Sequence, residues 1–284
     1  FINNFSVPVI GMVSLGLEAM TENADISEQY NSSVSFIKDK SVTTLSAYIH
    51  DSYSYDDIFF INTGLRIDNH SEFGNHYTWD VSGAYVVPFT KTNLRSSLGS
   101  AFKSPSLYQL YSDYGNPDLE PETSLVFDGG IYQDIQFSEN TLTFEGTCFY
   151  QKYRNMIDFL SMNYANIDGT IEIWGFEFSS SLKFSDKLSI RYAGTFLNSL
   201  KSVSDQPFLR KPKYIHSAVF TISPLSGLAI NASYSFVGPR DDVWFDAMYN
   251  PHYVELDPYH KIDANIRYAF NEMLTVTVRG ENLT

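Results

Sequence analysis

Cysteine is nearly missing from this chain: among 284 residues there is only Cys148, so no intrachain disulfide can staple the fold. It lies in the alternating run LTFEGTCFY and reads as a small apolar packing residue. There is no CxxC and no zinc-type cysteine pair. Long apolar runs are missing too. The best attempt, from Val7 to Leu17, is interrupted by Pro8, Gly11, Ser14 and Gly16 and meets Glu18. That excludes a membrane helix, which needs 18 or more apolar residues in a row, but not a membrane strand. Basic residues are few: 19 Lys and Arg stand against 33 Asp and Glu, a formal net charge of −14. A nucleic-acid partner, which needs a basic patch, is excluded on that ground. Also absent are GxSxG, HExxH, a P-loop and a Gly-rich dinucleotide loop, so no enzyme constellation is in sight.

Aromatic residues are abundant: 22 Phe, 20 Tyr and 3 Trp. Each buried tyrosine hydroxyl wants a partner. A membrane barrel meets that need with girdles at its two interfaces; a Tyr-rich soluble β-sandwich is the other way to hold them. Period-two alternation then predicts thirteen strands, over 9–17, 42–53, 58–68, 77–87, 94–102, 123–134, 141–153, 170–183, 188–200, 213–223, 228–238, 258–270 and 274–282. Ile230, Tyr234, Phe236, Ile262, Ile266, Val276 and Val278 alternate with Asn231, Ser233, Asp263, Arg267 and Arg279. Connections alternate between short turns, as at 54–57, 88–92, 184–187, 224–227 and 271–273, and long polar loops, the first over 18–40. Nine to eleven tilted residues cross a membrane, and sorted short turns and long loops mark an outer-membrane barrel. The polar face carries Arg95, Asp128, Glu145, Glu177, Lys183, Arg191, Asp263, Arg267 and Arg279. Buried in a dry core these would be costly; in a wide barrel they line water or touch a plug. In the opposite assignment the polar face is outside and the apolar face is the core of a soluble sandwich.

One segment cannot be a regular strand: AFKSPSLYQLYSDYGNPDLEPE, from Ala101 to Glu122. Pro105, Pro117 and Pro121 break any ladder, and Gly115, Asn116, Pro117 and Asp118 are turn chemistry. Yet Phe102, Leu107, Tyr108, Leu110, Tyr111, Tyr114 and Leu119 stud it with apolar groups. Such a loop must lay these side chains on something, and long structured loops carry function. The strand is expected to stop at Pro105, with Ser106 to Tyr111 folding back as a short turn and Leu119 anchoring the return before Pro121 and Glu122 start the next strand.

This segment closely resembles the corresponding stretch of TonB-dependent outer-membrane receptors, of the vitamin-B12 or siderophore receptor type. GLRIDNHSEFGNHYTWDVSGAYVVP, LRKPKYIHSAVFTIS and VRGENLT are similar to further family stretches, and Gly175, Phe176 and Glu177 stand where the family often reads GVE. The resemblance implies an all-β fold, an antiparallel up-and-down transmembrane β-barrel in the outer membrane of a Gram-negative-type bacterium. Thirteen strands would be an incomplete segment of a 22-stranded plan, the C-terminal portion, with the plug, early strands and last strand absent. The chain opens at Phe1 with no signal-peptide pattern, which agrees. It also implies outer-membrane lipid, a small metal-chelate ligand (cobalamin or a ferric siderophore) and the TonB complex, acting through a plug, as partners, and no cofactor. A passive porin or a barrel enzyme is the alternative. Phe102, Pro105, Ser106, Leu107, Gly115, Asn116, Pro117, Leu119, Pro121 and Glu122 carry the family signature.

Ligand contact is expected from the loop aromatics Tyr108, Tyr111, Tyr114, Trp244, Phe245 and Tyr249, since Tyr and Trp give rigid contact area with a polar tip; loop packing is their other role. Two metal-type patterns are also present. His252 and His260 flank Glu255 and Asp257, and Arg240, Asp241, Asp242, Val243, Trp244, Phe245 and Asp246 mix three acids with two aromatics, a set that could hold calcium or simply be solvated.

Overall fold

Strict alternation makes each predicted segment a two-faced strand, and a two-faced strand pairs readily with the next one along the chain. The computed structural model describes residues 2–7, 11–30, 33–160, 162–201, 209–248 and 250–284. Its strands are β1 (Ile2–Val7), β2 (Gly11–Tyr30), β3 (Ser33–Tyr55), β4 (Phe59–His70), β5 (Gly74–Val86) and β6 (Asn93–Lys103). A five-residue helix, α1 (Leu107–Tyr111), comes next, followed by β7 (Glu122–Phe137), β8 (Asn140–Arg154), β9 (Ile157–Leu160), β10 (Asn163–Asn166), β11 (Thr170–Phe184) and β12 (Leu188–Lys201). The chain continues through β13 (Tyr214–Leu225), β14 (Leu228–Val237), β15 (Arg240–Phe245), β16 (Pro251–Leu256), β17 (Tyr259–Ala269) and β18 (Thr275–Gly280). Fourteen of these form one sheet in chain order, while β9–β10 and β15–β16 are separate two-stranded hairpins inside loops. Every pairing is antiparallel between neighbours, the up-and-down order predicted.

The thirteen predicted strands are all present, and among the described residues their sheet carries one more, β1, too short and too close to Pro8 to show a period in the sequence. Two expectations need correction. In the polar stretch 18–40, residues 18–30 and 33–40 are strand rather than loop: β2 and β3 pair along their whole length, far beyond the predicted strands. Hydrophobic period cannot report a strand with water on both faces, because the ladder is built by backbone groups alone. A bulge interrupts this hairpin, where the register shifts between Ala24 and Ile26 and Asp39 takes φ 54°. The long loops after β8 and β14 likewise contain the hairpins β9–β10 and β15–β16.

Antiparallel order puts the five predicted short turns, after β3, β5, β11, β13 and β17, at one end of the sheet. At the β3–β4 turn both Asp56 and Asp57 have positive φ, 54° and 51°, the geometry of a type I′ hairpin. The loops after β2, β4, β6, β8, β12 and β14 share the other end.

Cross-strand register sorts the faces. Asn231 opposes Asn265 and Ser233 opposes Asp263 on one; Ile230 opposes Ile266, and Tyr234 opposes Ile262, on the other. The polar face is knitted by side chains: Thr221 Oγ1 donates to Asn231 Oδ1 at 2.8 Å, Asn231 Nδ2 donates to Asn265 Oδ1 at 3.1 Å, and Arg95 pairs with Glu145. Among the described residues no second layer covers the apolar face, and Ile266 remains 49% and Val278 67% exposed. That removes the sandwich alternative, in which this face would be the core. Among the described residues, buried apolar clusters occur instead at the loop end.

Candidate functional site

The segment between β6 and β7 builds the rim. Strand β6 ends at Lys103, and Pro105 is buried just beyond it. The β5–β6 ladder stops earlier, at Asp80 and Gly99, where the Trp79 N–H turns to Ser100 Oγ at 3.1 Å. Past that break Phe102 lies flat on the His76 ring, centroids 4.2 Å apart. The expected turn after Pro105 is helical. Ser106 caps α1: its Oγ accepts from the Gln109 N–H at 3.2 Å, and Gln109 Oε1 accepts from the Ser106 N–H at 2.9 Å. This reciprocal box satisfies helix-end donors and starts a helix that five residues could not sustain alone.

The helix turns its apolar side into two clusters. Leu107 packs with Ala24, Ile37 and Val42 of the long β2–β3 hairpin, and Leu110 with Leu119 and Ile157 of β9. The turn at Asn116 closes the loop, its Oδ1 accepting from the Asp118 N–H at 2.9 Å and its N–H donating to the Gln109 carbonyl at 2.8 Å. Gly115 is required there, since a Cβ would stand 2.8 Å from the Leu110 carbonyl group. Leu119 is 2% exposed and anchors the return, and β7 starts at Glu122 right after Pro121, as predicted.

Residues that sequence reasoning did not pick brace the loop. Asn166 of β10 exchanges bonds with the Glu120 backbone at 2.8 and 2.9 Å, and Asn155 Nδ2 donates to Glu120 Oε2 at 2.8 Å. Glu122 takes the Ile157 N–H and Lys103 Nζ, both at 3.2 Å. Lys40 Nζ sits 4.2 Å over the Tyr111 ring. These partners are remote in sequence and carry no local signal.

The aromatics therefore divide. Tyr108 and Tyr111 are half-buried in the clusters, whereas Tyr114 is 40% exposed and meets Phe159 edge-on. Phe159 and Tyr164 extend this edge-to-face group across the β9–β10 hairpin. Beneath the loop, on the polar face, lies a groove of about 510 Å³ lined by Arg66, Asp68, His70, Thr78, Phe102 and Lys103 among others. Arg66 spans it, bonded to Asp68 at 2.9 Å, Glu18 at 3.1 Å and Ser46 at 2.8 Å. His70 is level with the outward Asn69–Asn75 pair, which puts it above the apolar belt. Burial pushes its imidazole below the ordinary value, while Glu22 and Glu72 pull the other way.

Trp244 and Phe245 belong to a separate element, the hairpin β15–β16, and do not join the signature loop. Trp244 stacks on His252 at 4.4 Å and stays 52% exposed; Phe245 is 58% exposed. Tyr249 lies outside the described residues. The acids here are engaged by protein donors. Asp246 accepts from Asn250 Nδ2 and N–H, the Met248 N–H and His252 Nε2, and these bonds, Asn250 first, hold its carboxyl down to about 2. Asp242 is held low first by Arg210 at 2.8 Å and then by the Val243 N–H. His260 bonds Tyr234 on the outward face, away from His252. Among the described residues no group of three His, Cys, Asp or Glu side chains is arranged to hold a metal. The calcium and two-histidine patterns are thus taken up by protein contacts.

Comparison with known proteins agrees with this geometry. The TonB dependent receptor-like β-barrel family matches residues 10–283. A vitamin B12 transporter, BtuB, of Vibrio cholerae is 27% identical over 233 residues, covering 79% of this chain and 36% of the relative. The BtuB of Vibrio vulnificus is 26% identical over 245 residues, covering 84% and 37%. The chain thus spans little more than a third of the curated relatives it matches. Among solved structures, the ferric enterobactin receptor PfeA of Pseudomonas aeruginosa with enterobactin bound superposes with a TM-score of 0.77 at 19% identity, over 99% of this chain and 48% of that one. The copper transporter OprC gives 0.76 at 13% identity, over 96% and 48%. At these identities the likeness is one of fold.

Proposed function

The chain belongs to the TonB-dependent receptor β-barrel family, and from that premise we propose that it forms wall and outer mouth of an outer-membrane receptor that imports a scarce metal chelate, cobalamin or a ferric siderophore, with energy from TonB. Its relatives are transporters and receptors, not enzymes. The residues 1–284 act as the C-terminal portion of the barrel, and the TonB complex works through a plug that this portion surrounds. The apolar face meets lipid and the polar face lines the lumen.

One observation carries the reading. The signature loop, the β2–β3 hairpin and β9–β10 are welded into one rim, which leaves Tyr114 exposed on its β9–β10 side and sets the start of the loop, from Phe102 to Ser106, over a groove lined by Arg66 and Asp68. A welded rim gives rigid aromatic contacts, and rigid contacts lower the ordering cost of binding a chelate. The test is uptake of labelled cobalamin and labelled ferric siderophores by cells carrying the full receptor, with and without TonB. One chelate should accumulate against its gradient and only with TonB present. Equal, TonB-independent entry of every small solute would mean a passive porin.

A further inference from the structure

One acidic side chain interrupts the apolar belt. Ser46 bonds Asp68 and Arg66 on the lumen face, so Asp51, five positions further along β3, stands on the outward one. It is four residues from Tyr55, the turn end of β3. At about 3.3 Å per residue and a tilt of about 40°, that is roughly 10 Å up an apolar belt about 25 Å tall. Its rung reads Val13, Asp51, Thr63 and Val81 across β2 to β5. The next outward rung above is Leu15, Ile49, Leu65 and Trp79, all exposed. Below lie Tyr53, Ile61 and Gly83, where a Cβ would meet only the Phe60 carbonyl, at 3.6 Å. Among the described strands, outward charges elsewhere keep to the rim, as Lys152 does, paired at 3.0 Å with Glu172 twelve residues above the turn end of β11.

The two polar groups of this notch do not satisfy each other. Asp51 is half-buried, and its Oδ1 is shut in without a hydrogen-bond partner. Thr63 is exposed directly opposite, an O–H donor beside an acceptor, yet it does not supply that bond. Acyl chains offer no donor, so lipid cannot complete the carboxylate, and intramembrane acids are costly unless they pair. The arrangement itself points to the occupant. A donor and an acceptor set side by side on neighbouring strands are self-complementary about a two-fold axis between them, each carboxylate meeting the other copy's hydroxyl. With the axis along the membrane normal, a tilt of about 40° over a strand spacing of about 4.8 Å offsets the two groups by roughly 3 Å in height, which side chains can span. The level apolar rung above and the open space at Gly83 let two such walls come close.

We propose that the outward face of β2 to β5 docks a second copy of the receptor in the membrane, with Asp51 of each copy accepting from Thr63 of the other. The inference rests on the membrane reading above. It is tested on the full receptor, carrying one dye per chain and reconstituted into lipid vesicles at falling protein-to-lipid ratios, with dimers counted by single-molecule photobleaching. Wild type should dimerise as density rises. Thr63→Val, which removes both donors of the symmetric pair, should weaken dimerisation roughly tenfold, the effect of two intramembrane hydrogen bonds. Asp51→Thr should weaken it to a similar extent. The exchange Asp51→Thr/Thr63→Asp keeps a donor beside an acceptor and should restore dimers to within about twofold of wild type. Thr63→Val places no new polar group in the belt, so it serves if an Asp51 variant assembles poorly. Monomeric wild type at every density, single variants that dimerise like wild type, or an exchange that fails to restore dimers overturns the proposal; the first of these would leave the notch to lipid or to a different membrane protein. Failure of the membrane reading shows separately, as a receptor that never inserts into the vesicles.

Discussion

At the scale of single residues, the rim separates anchoring from contact. Leu119 is 2% exposed between Leu110 and Ile157, so Leu119→Ala should cost about 2–5 kcal/mol, the transfer and cavity cost of a buried leucine. Protease nicking of the signature loop in the folded receptor should rise accordingly. Tyr114 stands 40% exposed, its ring meeting Phe159 edge-on. Tyr114→Ala should leave nicking unchanged and weaken chelate uptake. The reverse pattern, uptake lost with Leu119→Ala alone and a looser loop with Tyr114→Ala, would assign the tyrosine to packing and refute its role as a contact.

Among the elements, the hairpin β15–β16 has a pH limit built into its tip. The Asp246 carboxylate gathers the Asn250 amides, the Met248 N–H and His252, and His252 in turn carries the Trp244 ring. Its folded value of about 2 lies below the ordinary 3.8, so the ionised form favours the ordered tip. The order is fully present above about pH 3.8 and is lost as pH falls through about 2. The protection of the Met248 and Asn250 amides against hydrogen exchange, taken relative to the intrinsic rate at each pH, should fall over that window and stay flat from pH 4 to 7. Asp246→Asn should remove the step; an unchanged step in that variant would locate the transition elsewhere. The short helix shows the same logic at neutral charge: a capping box and two buried leucines hold five residues helical.

Across the whole molecule, the sheet is a wall with two different solvents. Ile266 and Asn265 are adjacent on β17, yet Ile266 opposes Ile230 and Val278, and Asn265 opposes Asn231 and Arg279. With lipid on one side and lumen water on the other, Ile266→Arg should cost roughly 2–4 kcal/mol near the midplane, and Asn265→Arg much less. Denaturant unfolding of the full receptor in vesicles measures both, and equal costs would contradict the two-faced wall. The outermost strands of the sheet, β1 and β18, do not pair with each other, so the described wall is open.

Much of this wall was legible before any coordinates. Period two places Ile230, Tyr234, Ile262 and Ile266 on one face because side chains of a strand alternate by backbone geometry. Proline and the Gly115–Asp118 turn mark the signature loop for the same local reason. Strand order follows too, since short turns leave neighbours no choice but to pair. What the local pattern could not carry was everything decided across distance. The stretch 18–40 reads as a loop, but its residues 18–30 and 33–40 belong to β2 and β3, whose ladder is made of backbone bonds that no side-chain period records. Tyr108, Tyr111 and Tyr114 looked alike in sequence. Only the arrival of Ala24, Ile37 and Ile157 against the helix made two of them packing residues and left one exposed. The acids at Asp242 and Asp246 resembled a cation site until Arg210 and Asn250 reached them. Alternation and turn chemistry are properties of neighbours along the chain and determine a two-faced, up-and-down sheet; burial, ion pairing and the shape of the rim depend on which distant side chains meet, and only the assembled tertiary structure decides that.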